Sequence, residues 1–202
     1  MITSVGVIGA GTIGRAIARH ALHADLDVMI SNSRGPATLG EIVEELGAGA
    51  RAVSIEEAAE ADLIVLAVPF TKVPQVGAAI PSWTGRLVLD ATNQFEHENP
   101  YGGRADIGDL TGSEWVSRQL PGSTVVKAFN AMYGSYVAAN PVHPEGRQVA
   151  FYAGEETDGK PQVARLLSTF GFAAVDVGSL REGGRLMQLD GYLNALHVLK
   201  QD

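Results

Sequence analysis

Three features of the 202-residue chain predict an α/β fold: a doubly wound parallel sheet with helices on both faces and a small C-terminal α/β extension. Short apolar runs alternate with segments of helical spacing. The runs are continuous and do not alternate in polarity. A glycine pattern, Gly9-Ala10-Gly11-Thr12-Ile13-Gly14, stands between the first run and the first helical segment. Continuous apolar strands separated by helices describe a parallel sheet covered on both sides.

Residues 2–8 form a β-branched run that stops at Gly9, and residues 12–23 carry Ile13, Ile17, Ala21 and Leu22 at helical spacing. The second strand, 27–30, gives way to polar Ser31-Asn32-Ser33-Arg34-Gly35. Pro36, suited to a first helical turn, opens a periodic segment (Leu39, Ile42, Val43, Leu46) that Gly47 closes. Residues 51–53 read as a weak strand, Ser54-Ile55-Glu56-Glu57 has capping-box spacing, and 62–68 is an unbroken apolar strand. Further strands are predicted at 86–90, 124–129, 148–153 and 172–177, and helices at 113–120, 131–139, 161–170 and 183–199. About eight strands and seven helices result. One polar stretch, 91–110, bears Gly102, Gly103 and Gly108 without any period. A connection that long is usually a lid or binding loop, or else disordered.

Fifteen basic against 23 acidic residues leave a net charge of -8 and a pI near 5.1. That is the wrong sign for attracting nucleic acid or an anionic membrane through the overall field, so neither is expected as a partner. Any anion must be held by a local site. The absence of cysteine excludes disulfide frameworks, thiolate nucleophiles and cysteine-ligated metals. His20, His23, His97, His143 and His197 show no metal-ligand spacing, and no metal is assigned. The longest apolar stretch, 63–70, falls far short of the roughly 20 residues of a membrane helix. No charged leader precedes the first strand, and a cytoplasmic location is expected.

The G-x-G-x-x-G spacing matters because each glycine removes a Cβ where backbone must turn, meet a pyrophosphate, or let helix touch strand. Its setting between a strand and a helix, with a second strand following, is the context the motif demands. A helix beginning at Thr12 directs free N–H groups and a positive dipole end at a phosphate, so Gly9, Gly11, Thr12, Ile13 and Gly14 are assigned to a dinucleotide. About 20 residues on, an NAD site holds an acid for the ribose 2′-hydroxyl. Here stand Ser31, Asn32, Ser33 and Arg34, donors without a carboxylate, and the expected cofactor is NADP(H). The alternative is a solvated turn with an exposed arginine.

Ala67, Val68 and Pro69 close the fourth strand and Asn93 follows the fifth, at the carboxyl edge where such sheets bind ligands. Small residues there admit the nicotinamide ribose. The next strand ends Lys127-Ala128-Phe129-Asn130. Ala128 is assigned to the cofactor with its neighbours. Lys127 reads first as a surface charge and second as a general acid or phosphate contact. Asn93 and Asn130 are candidates to bond a ring amide, asparagine being disfavoured inside strands. Asn130 and Lys127 are the catalytic candidates, none certain. No Ser-His-Asp order or carboxylate pair is present, which suits hydride transfer, a reaction that needs positioning and dryness more than a proton relay.

With these segments assembled, the chain resembles the NADPH-dependent F-420 reductases, the deazaflavin-dependent NADP oxidoreductases with their bacterial dinucleotide-binding relatives. The resemblance rests on VGVIGAGTIG at 5–14, SNSRGP at 31–36, LAVPF at 66–70, LVLDATN at 87–93, VVKAFN at 125–130 and FAAVDVGSL at 172–180. The VVKAFN form is also similar to the cytoplasmic domain of STEAP-type ferric reductases. The resemblance implies a Rossmann NADP-binding domain over 1–130 and a small C-terminal portion over 131–202 packed on it, helping form the acceptor site. It also implies a deazaflavin F-420 or FMN/FAD co-substrate near Val68, Pro69, residues 130–132 and the 178–180 turn. The expected partner is a small-molecule redox acceptor. Reduction of a small carbonyl or imine, with Lys127 or Tyr133 as proton donor, stays open. So do reduction of ferric chelates through flavin and a non-catalytic NADP(H)-sensing role. The apolar residues of the last predicted helix, Leu186 to Leu199, point to a homodimer.

Overall fold

The structure, a computed structural model, describes residues 2–97 and 103–201. In chain order the elements are β1 (Ser4–Ile8), α1 (Thr12–His23), β2 (Asp27–Ser31), α2 (Gly40–Leu46), β3 (Ala50–Ala52), α3 (Ile55–Ala58) and β4 (Leu63–Leu66). They continue with α4 (Val73–Ala79), β5 (Leu87–Asp90), α5 (Gly112–Gln119), β6 (Thr124–Ala128), α6 (Gly134–Ala138), β7 (Val142–His143) and β8 (Gly146–Gly154). The chain closes with α7 (Gly159–Thr169), β9 (Ala173–Asp176), α8 (Glu182–Met187) and β10 (Leu199–Lys200). Single 3₁₀ turns, Pro36–Thr38 and Phe70–Lys72, precede α2 and α4.

Strands β3-β2-β1-β4-β5-β6 run parallel in that order, which is the Rossmann arrangement. β8 then pairs antiparallel with β6 and carries β7, β9 and β10, so the segments after 130 extend the same sheet. Alternate residues of each strand feed two cores. Val5, Val7, Ile30, Leu63, Val65 and Leu89 pack with α1 and α7 on one face. Ile8, Met29, Ile64, Leu66 and Val88 pack with α3, α4 and α5 on the other. Strands buried on both sides explain why the runs read as continuous. The capping boxes predicted and found at Ser54–Glu57, and found again at Thr111–Glu114, start α3 and α5.

The last segment differs from its predicted form. The helix expected over 183–199 stops at Met187, and Gln188 is already extended. Asp190 takes a left-handed φ of 66°, and a Cβ on Gly191 would lie 2.4 Å from the Leu186 carbonyl oxygen. The chain folds back instead, with Leu193 N–H donating to Leu186 O and Ala195 N–H to Ala131 O. Of the residues expected to form a dimerising stripe, Met187 is buried while Leu196 and Val198 are exposed. They share no helix face. The helix expected from 131 begins at Gly134, after a turn closed by Met132 N–H to Phe129 O and an extended Tyr133. Two strands beyond the predicted eight, β7 and β10, are two-residue pairings with β8 too short to leave a sequence signal. In the 91–110 stretch Phe95 bridges Arg104, and Gly102 lies outside the described residues. Among the described residues no helix is long and apolar enough to cross a membrane.

Candidate active site

Two clefts flank the first turn of α1 at the carboxyl edge of the sheet. The glycine loop that divides them has three different reasons for its three glycines. Gly9 turns the chain at φ 113°, and a Cβ there would lie 2.2 Å from the Ala67 carbonyl oxygen. Gly14 lets α1 cross β1, since a Cβ would sit 1.9 Å from Gly9 O. Around Gly11 nothing stands within 4 Å of the missing Cβ. That open ground lies where α1 begins, with Gly11 as N-cap, no capping side chain and no acid in the first turn. The first N–H groups of a helix have no intrahelical acceptor, and here they face space fit for an anion.

The first cleft, about 460 Å³, is lined by Gly9, Ala10 and Gly11 from the loop, by Asn32, Ser33 and Arg34 after β2, and by Ala67, Val68 and Pro69 after β4. Lys72 and Gln75 line it from the far wall, and among the described residues no carboxylate does. Asn32 Oδ1 accepts the Arg34 N–H at 2.9 Å and its Nδ2 donates to Thr38 Oγ1 at 3.0 Å, which fixes the turn that presents Ser33 and Arg34. Ser31 is a correction. It is wholly buried as the last residue of β2 and its hydroxyl donates to Val7 O, so it has nothing to offer a cofactor phosphate. Lys72 and Gln75 carried no sequence signal, because they reach the cleft only through the packing of α4.

The second cleft, about 690 Å³, lies past Thr12 and Ile13 and includes Asn93, Phe95, Phe129, Asn130, Met132 and Tyr133. Leu189, Asn194 and Ala195 close it from the folded-back C-terminal segment. Among the described residues, no acid, lysine, arginine or histidine lines it. Asn93 and Asn130 are brought together: Asn93 Nδ2 donates to Asn130 O at 2.9 Å, and Asn130 Nδ2 donates to Asn93 Oδ1 at 3.2 Å and to Met187 O at 2.8 Å. The Met187 carbonyl can only accept, which sets the amide's orientation. Phe129, just before, holds φ 65° although bulky and almost fully buried. Such strain in a non-glycine residue is kept only where the surroundings enforce it, and it concentrates at functional sites.

Four other assignments are corrected. Lys127 is no surface charge: only 3% exposed, it donates to Asp90 Oδ2 at 3.0 Å and to Thr92 O at 2.5 Å, beneath the second cleft. Ala128 faces the core and lines neither cleft. Val68 and Pro69 line the first cleft and not the second. The 178–180 turn stands away from both. Its Leu180 is buried in the core, with its carbonyl accepting from Thr111 and its N–H donating to Glu155.

With this geometry in hand, residues 4–94 match the family described as NADP oxidoreductase, coenzyme F420-dependent. A solved structure of a hypothetical protein from Sinorhizobium meliloti is similar at 38% identity and TM-score 0.91, covering 100% of this chain and 97% of that one. A structure from Arthrobacter sp. FB24, named for F420-dependent NADP reduction, is similar in fold at TM-score 0.77 and 21% identity, covering 91% and 89%. Metalloreductase STEAP3 of Rattus norvegicus is 24% identical over 177 residues, 87% of this chain and 34% of that one. The chain thus spans about a third of the length of that curated relative.

Proposed function

We propose that this chain, whose residues 4–94 match the family of coenzyme F420-dependent NADP oxidoreductases, binds NADP(H) across the first turn of α1 and exchanges hydride with a deazaflavin or flavin ring in the 690 Å³ cleft. One observation carries the reading: neighbouring residues of a single loop face the two clefts, Gly11 the first and Thr12 and Ile13 the second. A dinucleotide with its pyrophosphate at the helix start would put its adenosine end in one cleft and its nicotinamide end in the other. Bound NADP(H) supplies or takes the hydride.

The chain's own groups suit these tasks. Gly11 and the N–H groups of α1 hold the pyrophosphate, while Ser33 and Arg34 donate to the 2′-phosphate. On the acceptor side Asn93, Asn130 and Met132 form a wall of amides and apolar surface, and among the described residues Tyr133 alone brings a titratable group to it. Such a site orients two rings and excludes water, which is what direct hydride transfer asks of a protein.

NADPH oxidation followed against F-420, FMN, FAD and ferric chelates tests the proposal, with deuterated NADPH as tracer. Turnover with a deazaflavin or flavin and transfer of label to the deazaflavin ring carbon are expected. Tyr133 lines the cleft and is 61% exposed, which favours one second reading, reduction of a carbonyl or imine with this hydroxyl as proton donor. Turnover without any flavin, lost in Tyr133→Phe, would replace the first reading by the second. Tight NADP binding with no oxidation under any acceptor would point to a sensor.

A further inference from the structure

The four donors that surround the Asp90 carboxylate come from three residues in three different parts of the chain. Its Oδ1 accepts from Thr92 N at 2.9 Å and Thr92 Oγ1 at 2.7 Å, and its Oδ2 from Ser113 Oγ at 2.5 Å and Lys127 Nζ at 3.0 Å. Lys127 Nζ also donates to Thr92 O at 2.5 Å. Asp90 is wholly buried and Thr92, Ser113 and Lys127 are at most 3% exposed. The knot therefore ties the end of β5, the flank of β6, the start of α5 and the turn after β5 into one unit. None of the four residues lines either cleft, and the proposed hydride chemistry uses none of them.

What the knot does control is Asn93. Residues on both sides of Thr92, Ala91 and Asn93, line the second cleft, and Asn93 exchanges hydrogen bonds with Asn130. Asn130 stands three residues beyond Lys127, past the strained Phe129. Lys127 thus grips the turn after β5 from the strand that delivers Asn130.

We propose that Asp90 and Lys127 are positioning residues of the acceptor cleft, holding the 91–93 and 129–130 turns in register so that Asn93 and Asn130 form a rigid amide ledge for a planar ring bearing N–H and carbonyl groups. This rests on the reading of that cleft as the acceptor seat. The pair acts through the two asparagines and touches no ligand. A buried ion pair is a poor source of net stability compared with apolar side chains of the same size, but it fixes geometry where packing alone would leave two turns free to slide. The asparagine amide oxygen is consistent with that role: Asn130 Oδ1 is buried and has no hydrogen-bond partner among the described residues, so within them the amide is held by its nitrogen.

The test uses the full chain carrying Asp90→Asn with Lys127→Met, a double variant that leaves no unpaired buried charge, and beside it Ser113→Ala as a milder lesion. Melting temperature, calorimetric affinity for NADP⁺, affinity for FMN at saturating NADP⁺, and amide exchange at 91–94 and 129–132 are measured. In the double variant NADP⁺ affinity should stay within about threefold, exchange in the two turns should rise about tenfold, and FMN should bind at least about tenfold more weakly. Ser113→Ala should move exchange and FMN affinity in the same direction, by roughly threefold. Exchange unchanged in a folded double variant overturns the proposal, as does an equal loss of NADP⁺ and FMN affinity. Should the double variant fail to fold, Ser113→Ala decides by the same readouts. A wild type that binds NADP⁺ but neither FMN nor a deazaflavin removes the functional reading, while exchange in the two turns still decides the positioning role.

Discussion

The two clefts are built in opposite ways. The cleft proposed for the nucleotide is shaped by the glycine loop after β1 and the strand ends of β2 and β4, with side chains such as Arg34 and Lys72 around that backbone floor. The walls of the proposed acceptor cleft are side chains and strained turns gathered from residues 12–13, 91–95, 129–135 and 189–195. The first depends on what is absent, a Cβ at three glycines. The second depends on what is present, a chain of hydrogen bonds from Asp90 to Met187. A backbone-built site fails when atoms are added, and a network-built site fails when they are removed.

The sharpest break of that contrast lies in the glycines. Gly14→Ala places a Cβ 1.9 Å from Gly9 O, and the clash should cost ~4 kcal/mol or more, or prevent folding, as read by the melting temperature. Gly11→Ala meets nothing within 4 Å, so the fold should hold while NADP(H) binding falls about tenfold or more by calorimetry. Equal melting temperatures for the two variants would refute the division of roles.

Next in size is Lys127→Ala, which strands the Asp90 carboxylate without its cation. A loss of about 3–5 kcal/mol is expected from denaturant unfolding, carried by stability and not by NADP(H) affinity. An effect under about 1 kcal/mol would mean the lysine is solvated in solution.

Arg34→Ala removes a charge-assisted donor from the nucleotide cleft, worth roughly 1.5–3 kcal/mol, so NADPH should bind about 10- to 150-fold more weakly. NADH should barely change. Equal losses for both cofactors, or a wild type that prefers NADH, would end the NADP assignment.

The smallest effect concerns α1 behind both clefts. Burial holds His20 below its ordinary value, while its Nε2 contact to Val137 O pulls the other way and nearby His23 adds to the lowering. The unfolded chain therefore binds a proton more readily than the folded one, and stability drops as pH falls below about 6.5. His20→Gln should flatten the decline of melting temperature on the acid side of that point. An identical decline in the variant would assign it to other groups.

Most of the nucleotide cleft was legible because its signals are local. Glycine spacing, strand ends and an acid-free turn all fall within about thirty residues, the span of one βαβ unit. Ser31 misled because it is polar and follows an apolar run, yet β2 extends one residue further and turns its hydroxyl inward. The acceptor cleft was half legible: Asn93 and Asn130 stood out as polar residues at strand ends, but the C-terminal wall did not. Leu186, Leu189, Leu193 and Leu196 mimic helical spacing, and only contacts with distant segments, such as Ala195 N–H to Ala131 O, draw the chain off that course. The Asp90–Lys127 pair did leave a trace. In parallel register the run Leu87-Val88-Leu89-Asp90 lies against Thr124-Val125-Val126-Lys127, so opposite charges meet at the last rung.

The way β8 fastens onto β6 also governs how molecules meet one another. Pairing with β6 along one strand and with β7, β9 and β10 besides, β8 converts what would be a bare five-residue border into interior. The borders left are β3, β7, β9 and β10, four residues at most, and the exposed Arg51 sits in the middle of β3. Short, charged rims give a neighbouring chain little main chain to zip onto, so crowded solutions of this protein should resist strand-by-strand aggregation even though the path across the sheet counts eight strands among the described residues.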